Sequence, residues 1–342
     1  MNNLQKASDR LIHDMLSVQP GETVVITCDH KTDRKMAENL AKTVYETGAF
    51  PIIMENLPPE GNGVLKDTEL PVQVLAGALC QTDVWIEINQ RQLLYSKPFD
   101  IALEKNKKLR YMVLAEMTPE VFIRTIGSID ATVLRPLMMR MKEMIQNSRT
   151  VRIETEKGTN AVFAIDNNHF LAVDCGDAAG PGFHTMPGCI NIVPRFGSVN
   201  GQLVFDGTLT DRGVIEGERV HLTVEDSRIT SIKGTEAADW FSDYLKGFND
   251  PNMYKIAHLS IGLNPGAIFS GSTPEDERGW GVTTWGIGSV PAEDAPPYGQ
   301  QAASHCDGTS SRSTIWFDDR LIMKNGQLAD EELIKLAKNI RR

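Results

Sequence analysis

Thr23-Val24-Val25-Ile26-Thr27-Cys28 is a short, nearly continuous apolar run, the pattern of a strand buried on both faces of a parallel sheet. The theme repeats on its C-terminal side. Asp33 caps a helical stretch over residues 34–47, with Met36, Leu40 and Val44 at helical spacing and Gly48 to end it. Phe50-Pro51-Ile52-Ile53-Met54 reads as the next strand. Residues 72–80 followed by Val84-Trp85-Ile86-Glu87-Ile88, and then residues 109–114, continue the alternation. Strands alternating with helices predict an α/β layer with right-handed crossovers. This half carries neither Gly-x-Gly-x-x-Gly nor a Walker loop, so the pattern alone supplies no nucleotide site.

The texture changes near residue 150. Val151-Arg152-Ile153-Glu154-Thr155 alternates strictly, and Gly, Asn and Asp turns recur up to Gly234, which predicts hairpins. One helix interrupts them: Ala237, Trp240, Phe241, Tyr244, Leu245 and Phe248 sit at helical spacing and end in Asn249-Asp250-Pro251. A hairpin closes the β region (Thr314–Phe317, a turn at Asp318-Asp319, then residues 321–323), and residues 330–342 read as an amphipathic tail helix. The expected organisation is an α/β domain over residues 1–150, carrying a parallel sheet, followed by a β-rich α+β domain over residues 151–342.

The chain has 342 residues, 41% hydrophobic and 23% charged, the proportions of a soluble globular protein with a real core. A formal net charge of -10 repels phosphate backbones, so neither nucleic acid nor an anionic membrane is an expected partner. No apolar run approaches the roughly 18–20 residues of a transmembrane helix, and residues 1–8 lack the apolar core of a signal peptide. Five scattered cysteines with no Cys-x-x-Cys pair argue against disulfide scaffolds and zinc ribbons, and fit a reducing cytoplasm.

Two histidine neighbourhoods carry possible chemistry. In Ser304-His305-Cys306-Asp307-Gly308, His305 and Asp307 are two apart. On a strand both point to one face, where they can hold adjacent corners of a coordination sphere, while Cys306 points to the other. In residues 255–266, Ala257, Leu259, Ile261 and Leu263 share one face, leaving His258 with Ser260 and Gly262 on the opposite one. Together His258, His305 and Asp307 make two imidazoles and one carboxylate, the facial set that leaves open positions on Fe(II). A zinc hydrolase site uses the same donor types. Residue types alone leave Fe(II), Zn, Mn and Co open.

Ile261-Gly262-Leu263-Asn264-Pro265-Gly266-Ala267, the acidic Pro274-Glu275-Asp276-Glu277-Arg278, residues 281–288 and His305-Cys306-Asp307 resemble the metal-binding half of the aminopeptidase T-type metallopeptidases. Residues 186–194 with Ser198-Val199-Asn200-Gly201-Gln202-Leu203-Val204-Phe205-Asp206 resemble that family's segment leading into the site. The similarity covers roughly residues 150–325. Those peptidases bind two metal ions, and here four of their ligand positions differ. One Glu position reads Cys189 and the second reads His258; the His position falls near Thr284 and the Tyr position near Pro291. His305 and Asp307 are retained, so the resemblance implies one ion rather than two.

That altered pattern is similar to the 2,5-dihydroxypyridine dioxygenase family. It shares His258 ahead of Gly262-Leu263, the terminal His-x-Asp and the helix ending in Phe248-Asn249-Asp250-Pro251. The resemblance implies a mononuclear Fe(II) enzyme, ligated by His258, His305 and Asp307, that opens a hydroxylated aromatic or N-heteroaromatic ring with O2. It implies proton acceptors or orienting groups at Asp174 and His184, a Tyr95 that reaches over the substrate from the N-terminal half, and assembly as a homo-oligomer. Trp280, Trp285 and Phe183 are candidate apolar walls. Two other readings stand beside it: a metal-dependent aminopeptidase or amidohydrolase, supported by the Glu275/Glu277 segment, and a catalytically inactive binding protein.

Overall fold

The computed structural model describes residues 3–60 and 67–340. The expected strand over residues 23–28 forms as Thr23–Asp29 and lies inside a five-stranded parallel sheet. Phe50–Asn56 flanks it on one side; Val84–Glu87, Arg110–Val113 and Gly182–Thr185 follow on the other. The helix after the first strand runs Arg34–Glu46. The Asp33 carboxylate accepts from the Met36 amide at 3.1 Å to start it, and Gly48 at φ +83° stands just past its end. Helices Val72–Leu79 and Lys97–Lys105 fill the later crossovers. Trp85 stacks on Tyr111 at 3.7 Å inside this layer, and its indole N–H donates to Thr27 Oγ1 at 2.8 Å.

The remaining strands build two antiparallel sheets. The eight-stranded one runs, in spatial order, Arg228–Gly234, Val220–Glu225, Asn200–Phe205, Asn160–Ala164, Thr150–Glu154, Thr314–Phe317, Arg320–Lys324, Gln327–Leu328. The seven-stranded one runs Gly213–Val214, Thr208–Leu209, Gln300–Ser310, Thr283–Val290, Ile256–Gly262, Cys189–Ile192, Leu171–Asp174. The two sheets meet where Phe163 of the first packs edge-on against Trp285 of the second at 6.0 Å, both rings buried. The architecture is therefore an α/β layer followed by a β-rich α+β assembly.

The chain separates into two compact units, residues 1–131 with 176–187 and residues 132–175 with 188–342. This differs from a single division near residue 150 in two ways, both set by packing. Helix Ala131–Gln146 falls almost wholly in the second unit, where Arg140 makes a two-pronged ion pair with Glu332 at 2.8 and 3.0 Å. Gly182–Thr185 returns to the first unit because it hydrogen-bonds in parallel with Arg110–Val113. The expected tail helix is shorter than residues 330–342. Asp330 caps Glu331–Leu336, a single 3-10 turn follows at Ala337–Asn339, and Arg341 and Arg342 lie outside the described residues, as do Met1 and Asn2.

Candidate metal centre

Strand Thr283–Val290 runs between Ile256–Gly262 and Gln300–Ser310, and its register builds the site. Gly286 lies directly opposite His258 on one neighbour and Asp307 on the other; Gly288 lies opposite His305. Alternation puts all five residues on one face. With no side chain at Gly286, the imidazole and the carboxylate lean in from both sides and meet above it. A Cβ at Gly286 would fall 2.9 Å from His258 Cγ and closer still to Cδ2 and Nε2.

The three donor atoms form a nearly equilateral triangle. His258 Nε2 is 3.1 Å from His305 Nε2, His258 Nε2 is 3.4 Å from Asp307 Oδ1, and His305 Nε2 is 3.3 Å from Asp307 Oδ1. A cation about 2.1 Å from each donor sets neighbouring donors roughly 3.0 Å apart at right angles and roughly 3.4 Å apart at the tetrahedral angle. The observed sides fall within that interval, so the donors fit a single ion without rearrangement. Among the described residues, this is the one group of three or more His, Cys, Asp or Glu side chains so arranged. Side-chain exposures of 20%, 33% and 16% for His258, His305 and Asp307 leave the open side accessible.

The His305 tautomer agrees with ligation. His305 Nδ1 lies 2.9 Å from the Ser289 carbonyl, which can only accept, so Nδ1 carries the proton and Nε2 presents its lone pair. Burial alone would lower the His305 pKa, but the Asp307 charge and hydrogen bond raise it to about 9. Burial alone would raise the Asp307 carboxyl, yet the two imidazoles hold it well below the usual carboxylate range.

Two acids lie within electrostatic reach. Burial pushes Glu277 up, Arg278 beside it pulls it down, and Asp307 and His258 act on it in opposite senses. Burial also raises Asp294, against the pull of His258 and His305. Glu277 belongs to the acidic run that the sequence picks out; Asp294, in the loop after Val290, carries no sequence signal. Nothing in the sequence marks Ser289, whose role depends on backbone direction and strand pairing.

The other sequence candidates are placed as follows. Asp174 ends its strand opposite Cys189, and its carboxylate is 3.7 Å from the Arg278 guanidinium, which also pairs with Glu277. His184 and Tyr95 belong to the first compact unit. His184 Nε2 is 2.9 Å from the Gly180 carbonyl; Tyr95, at φ 61° and 55% exposed, meets Phe99 edge-on at 5.8 Å. Phe183 packs against Tyr111 in that same unit. Trp285 is not a wall of the site: it alternates with Gly286, points to the opposite face and is buried against Phe163. Cys189 is buried with its thiol 3.5 Å from Asn191 Oδ1; burial drives its pKa far up and keeps it protonated.

Residues 10–330 match the family model described as NicX: 2,5-dihydroxypyridine 5,6-dioxygenase. A curated 2,5-dihydroxypyridine 5,6-dioxygenase from Pseudomonas putida KT2440 is 28% identical over 186 residues, 53% of this chain and 51% of that protein, so the match spans about half the relative's length. Among solved structures, the 2,5-dihydroxypyridine dioxygenase from Pseudomonas putida KT2440 superposes with a TM-score of 0.81 at 19% identity, covering 97% of this chain and 98% of that one. Wild-type AmpT from Thermus thermophilus gives a TM-score of 0.66 at 13% identity, covering 96% and 99%. At those identities the structural likeness establishes the fold.

Proposed function

Because the chain belongs to the 2,5-dihydroxypyridine 5,6-dioxygenase (NicX) family, we propose that it is a mononuclear non-haem Fe(II) dioxygenase that opens a hydroxypyridine-like ring with O2. The observation that carries this reading is the triangle of two imidazole Nε2 atoms and one carboxylate oxygen with sides of 3.1 to 3.4 Å. Three protein donors on one side are the facial arrangement that leaves neighbouring positions for two small reactants. Bound there, Fe(II) would lower the pKa of a substrate hydroxyl and bring ring and dioxygen together.

The chain's own residues supply the rest. His258, His305 and Asp307 would hold the ion. Ser289, through its carbonyl, keeps the His305 ring oriented. Glu277, which burial raises and which interacts electrostatically with Asp307 and His258, is proposed as a proton carrier. Asp174, whose carboxylate lies 3.7 Å from the Arg278 guanidinium, is proposed as the proton acceptor; His184 and Tyr95 are proposed as groups that orient the ring. The ion could be Zn, Mn or Co, since the donor set accepts each. Work in the cytoplasm accords with five scattered cysteines that include no Cys-x-x-Cys pair, and among the described residues no helix is long and apolar enough to cross a membrane. Assembly as a homo-oligomer rests on the family resemblance.

One experiment tests the function. Protein purified without oxygen receives Fe(II) or Zn(II), and oxygen uptake with hydroxypyridines is followed alongside aminoacyl-anilide hydrolysis. Uptake with Fe(II) alone, absent in His305→Ala, is the expected result. Anilide turnover with zinc and none with iron would make the protein a metallo-hydrolase instead, and loading well below one ion per chain would make it a binding protein.

A further inference from the structure

We propose that Ser260 and Asn191 form a relay that fixes His258 in the tautomer with a bare Nε2, making both of them positioning residues for the metal centre. This rests on the metal-centre reading above and goes beyond it, because it assigns roles to two residues that touch neither ion nor substrate.

The argument is an accounting of protons. Ser260 Oγ lies 3.2 Å from His258 Nδ1. A hydroxyl has one proton, and that of Ser260 is given to Asn191 Oδ1, on the adjoining strand, where Asn191 and Ser260 are register partners. Ser260 Oγ therefore faces His258 with a lone pair. Nδ1 must donate to it, which places the imidazole proton on Nδ1 and frees Nε2 for the cation. The Cys189 thiol, 3.5 Å from Asn191 Oδ1, donates to the same oxygen and helps keep it an acceptor. Ser260 is fully buried, so no bulk water competes for its hydroxyl.

The two ligating histidines thus differ in what orients them. His305 is held by a backbone carbonyl, which no substitution removes. His258 is held by side chains, and its tautomer is open to mutation. Loss of such an outer partner typically costs about 10–100-fold in metal affinity.

The test reads protons and metal, not turnover. In metal-free protein labelled with 15N-histidine, the ring-nitrogen shifts are expected to show His258 protonated on Nδ1. In Asn191→Leu the Ser260 hydroxyl loses its acceptor and turns to His258 Nδ1, so the proton should move to Nε2. Titrated with Zn(II), Ser260→Ala and Asn191→Leu should bind about 10–100-fold more weakly than wild type, whereas Ser260→Thr, which keeps the oxygen, should bind close to wild type. Far-UV circular dichroism of each metal-free variant separates this from misfolding, and either of the two weakened variants suffices. Wild type carrying the proton on Nε2, or variants binding Zn(II) as tightly as wild type, overturns the relay alone. A wild type that takes up no ion overturns the metal-centre reading and the relay with it.

Discussion

Gly286→Ala isolates the geometry on which the site depends. Gly286 lies outside the left-handed region that would itself demand glycine, so the backbone tolerates an alanine; only the space is lacking. The new Cβ would stand 2.9 Å from His258 Cγ and nearer to Nε2, against 3.4 Å for ordinary contact. The ring must therefore retreat by at least half an ångström at Cγ and by more at the donor nitrogen. A coordination bond tolerates displacement of about 0.2 Å, and disturbing what orients a ligand already costs about 10–100-fold in metal affinity. Calorimetric titration with Zn(II) should accordingly show affinity lower by about 100-fold, while urea unfolding of the metal-free protein loses about 1–3 kcal/mol from overpacking. Gly77→Ala, on an exposed helical position with nothing near its Cβ, is the control and should be neutral or mildly stabilising. A Gly286→Ala protein that binds Zn(II) like wild type would refute the picture of an imidazole resting on a bare strand.

Further predictions concern charge and the core. A proton on His305, with its pKa raised to about 9 by Asp307, competes with the cation, so Zn(II) affinity should climb about tenfold per pH unit towards pH 9 and flatten above it; a profile already flat from pH 6.5 would contradict this. Trp285→Ala removes a buried ring on the far face of the same strand and should cost about 3–5 kcal/mol in urea unfolding, with one ion per chain still bound by the folded protein. Asp276 is buried and accepts from the Ser270 and Gly271 amides at 2.7 and 2.9 Å and from the Thr208 hydroxyl. Asp276→Ala should therefore destabilise by about 3 kcal/mol or more, checked by the same unfolding curve.

Local patterns carried the sequence reading wherever the deciding contacts were local. The apolar run at residues 23–28 needs burial on both faces, and Thr23–Asp29 has a neighbour on each side. Period two alone separates His305 and Asp307 from Cys306, which is buried on the other face. Pairing across long loops was illegible. Gly182–Thr185 is four residues long and finds its partner strand some seventy residues earlier, so nothing in its own composition announces a parallel sheet. Helix Ala131–Gln146 likewise reads as a continuation of the first domain until Arg140 is seen to reach Glu332. The same limit hides one feature of the site: spacing places His258 on a face with Ser260 and Gly262, but the Gly286 strand that makes that face a floor lies in another segment.

Charge argues for one ion at this centre rather than a pair. Two divalent ions close together need several anionic ligands to offset their repulsion, and a bridging carboxylate is the usual one. At the position where the resembling peptidases carry a glutamate, this chain has Cys189, whose burial keeps the thiol protonated and neutral. Where they carry the second, it has His258, a neutral donor. Asp307 is then the single anion in the donor triangle. One divalent cation held by one carboxylate and two imidazoles would retain net positive charge, which would favour an anionic oxygen of a substrate. The thiol that stands in place of that glutamate donates instead to Asn191, the residue that directs the Ser260 hydroxyl away from His258.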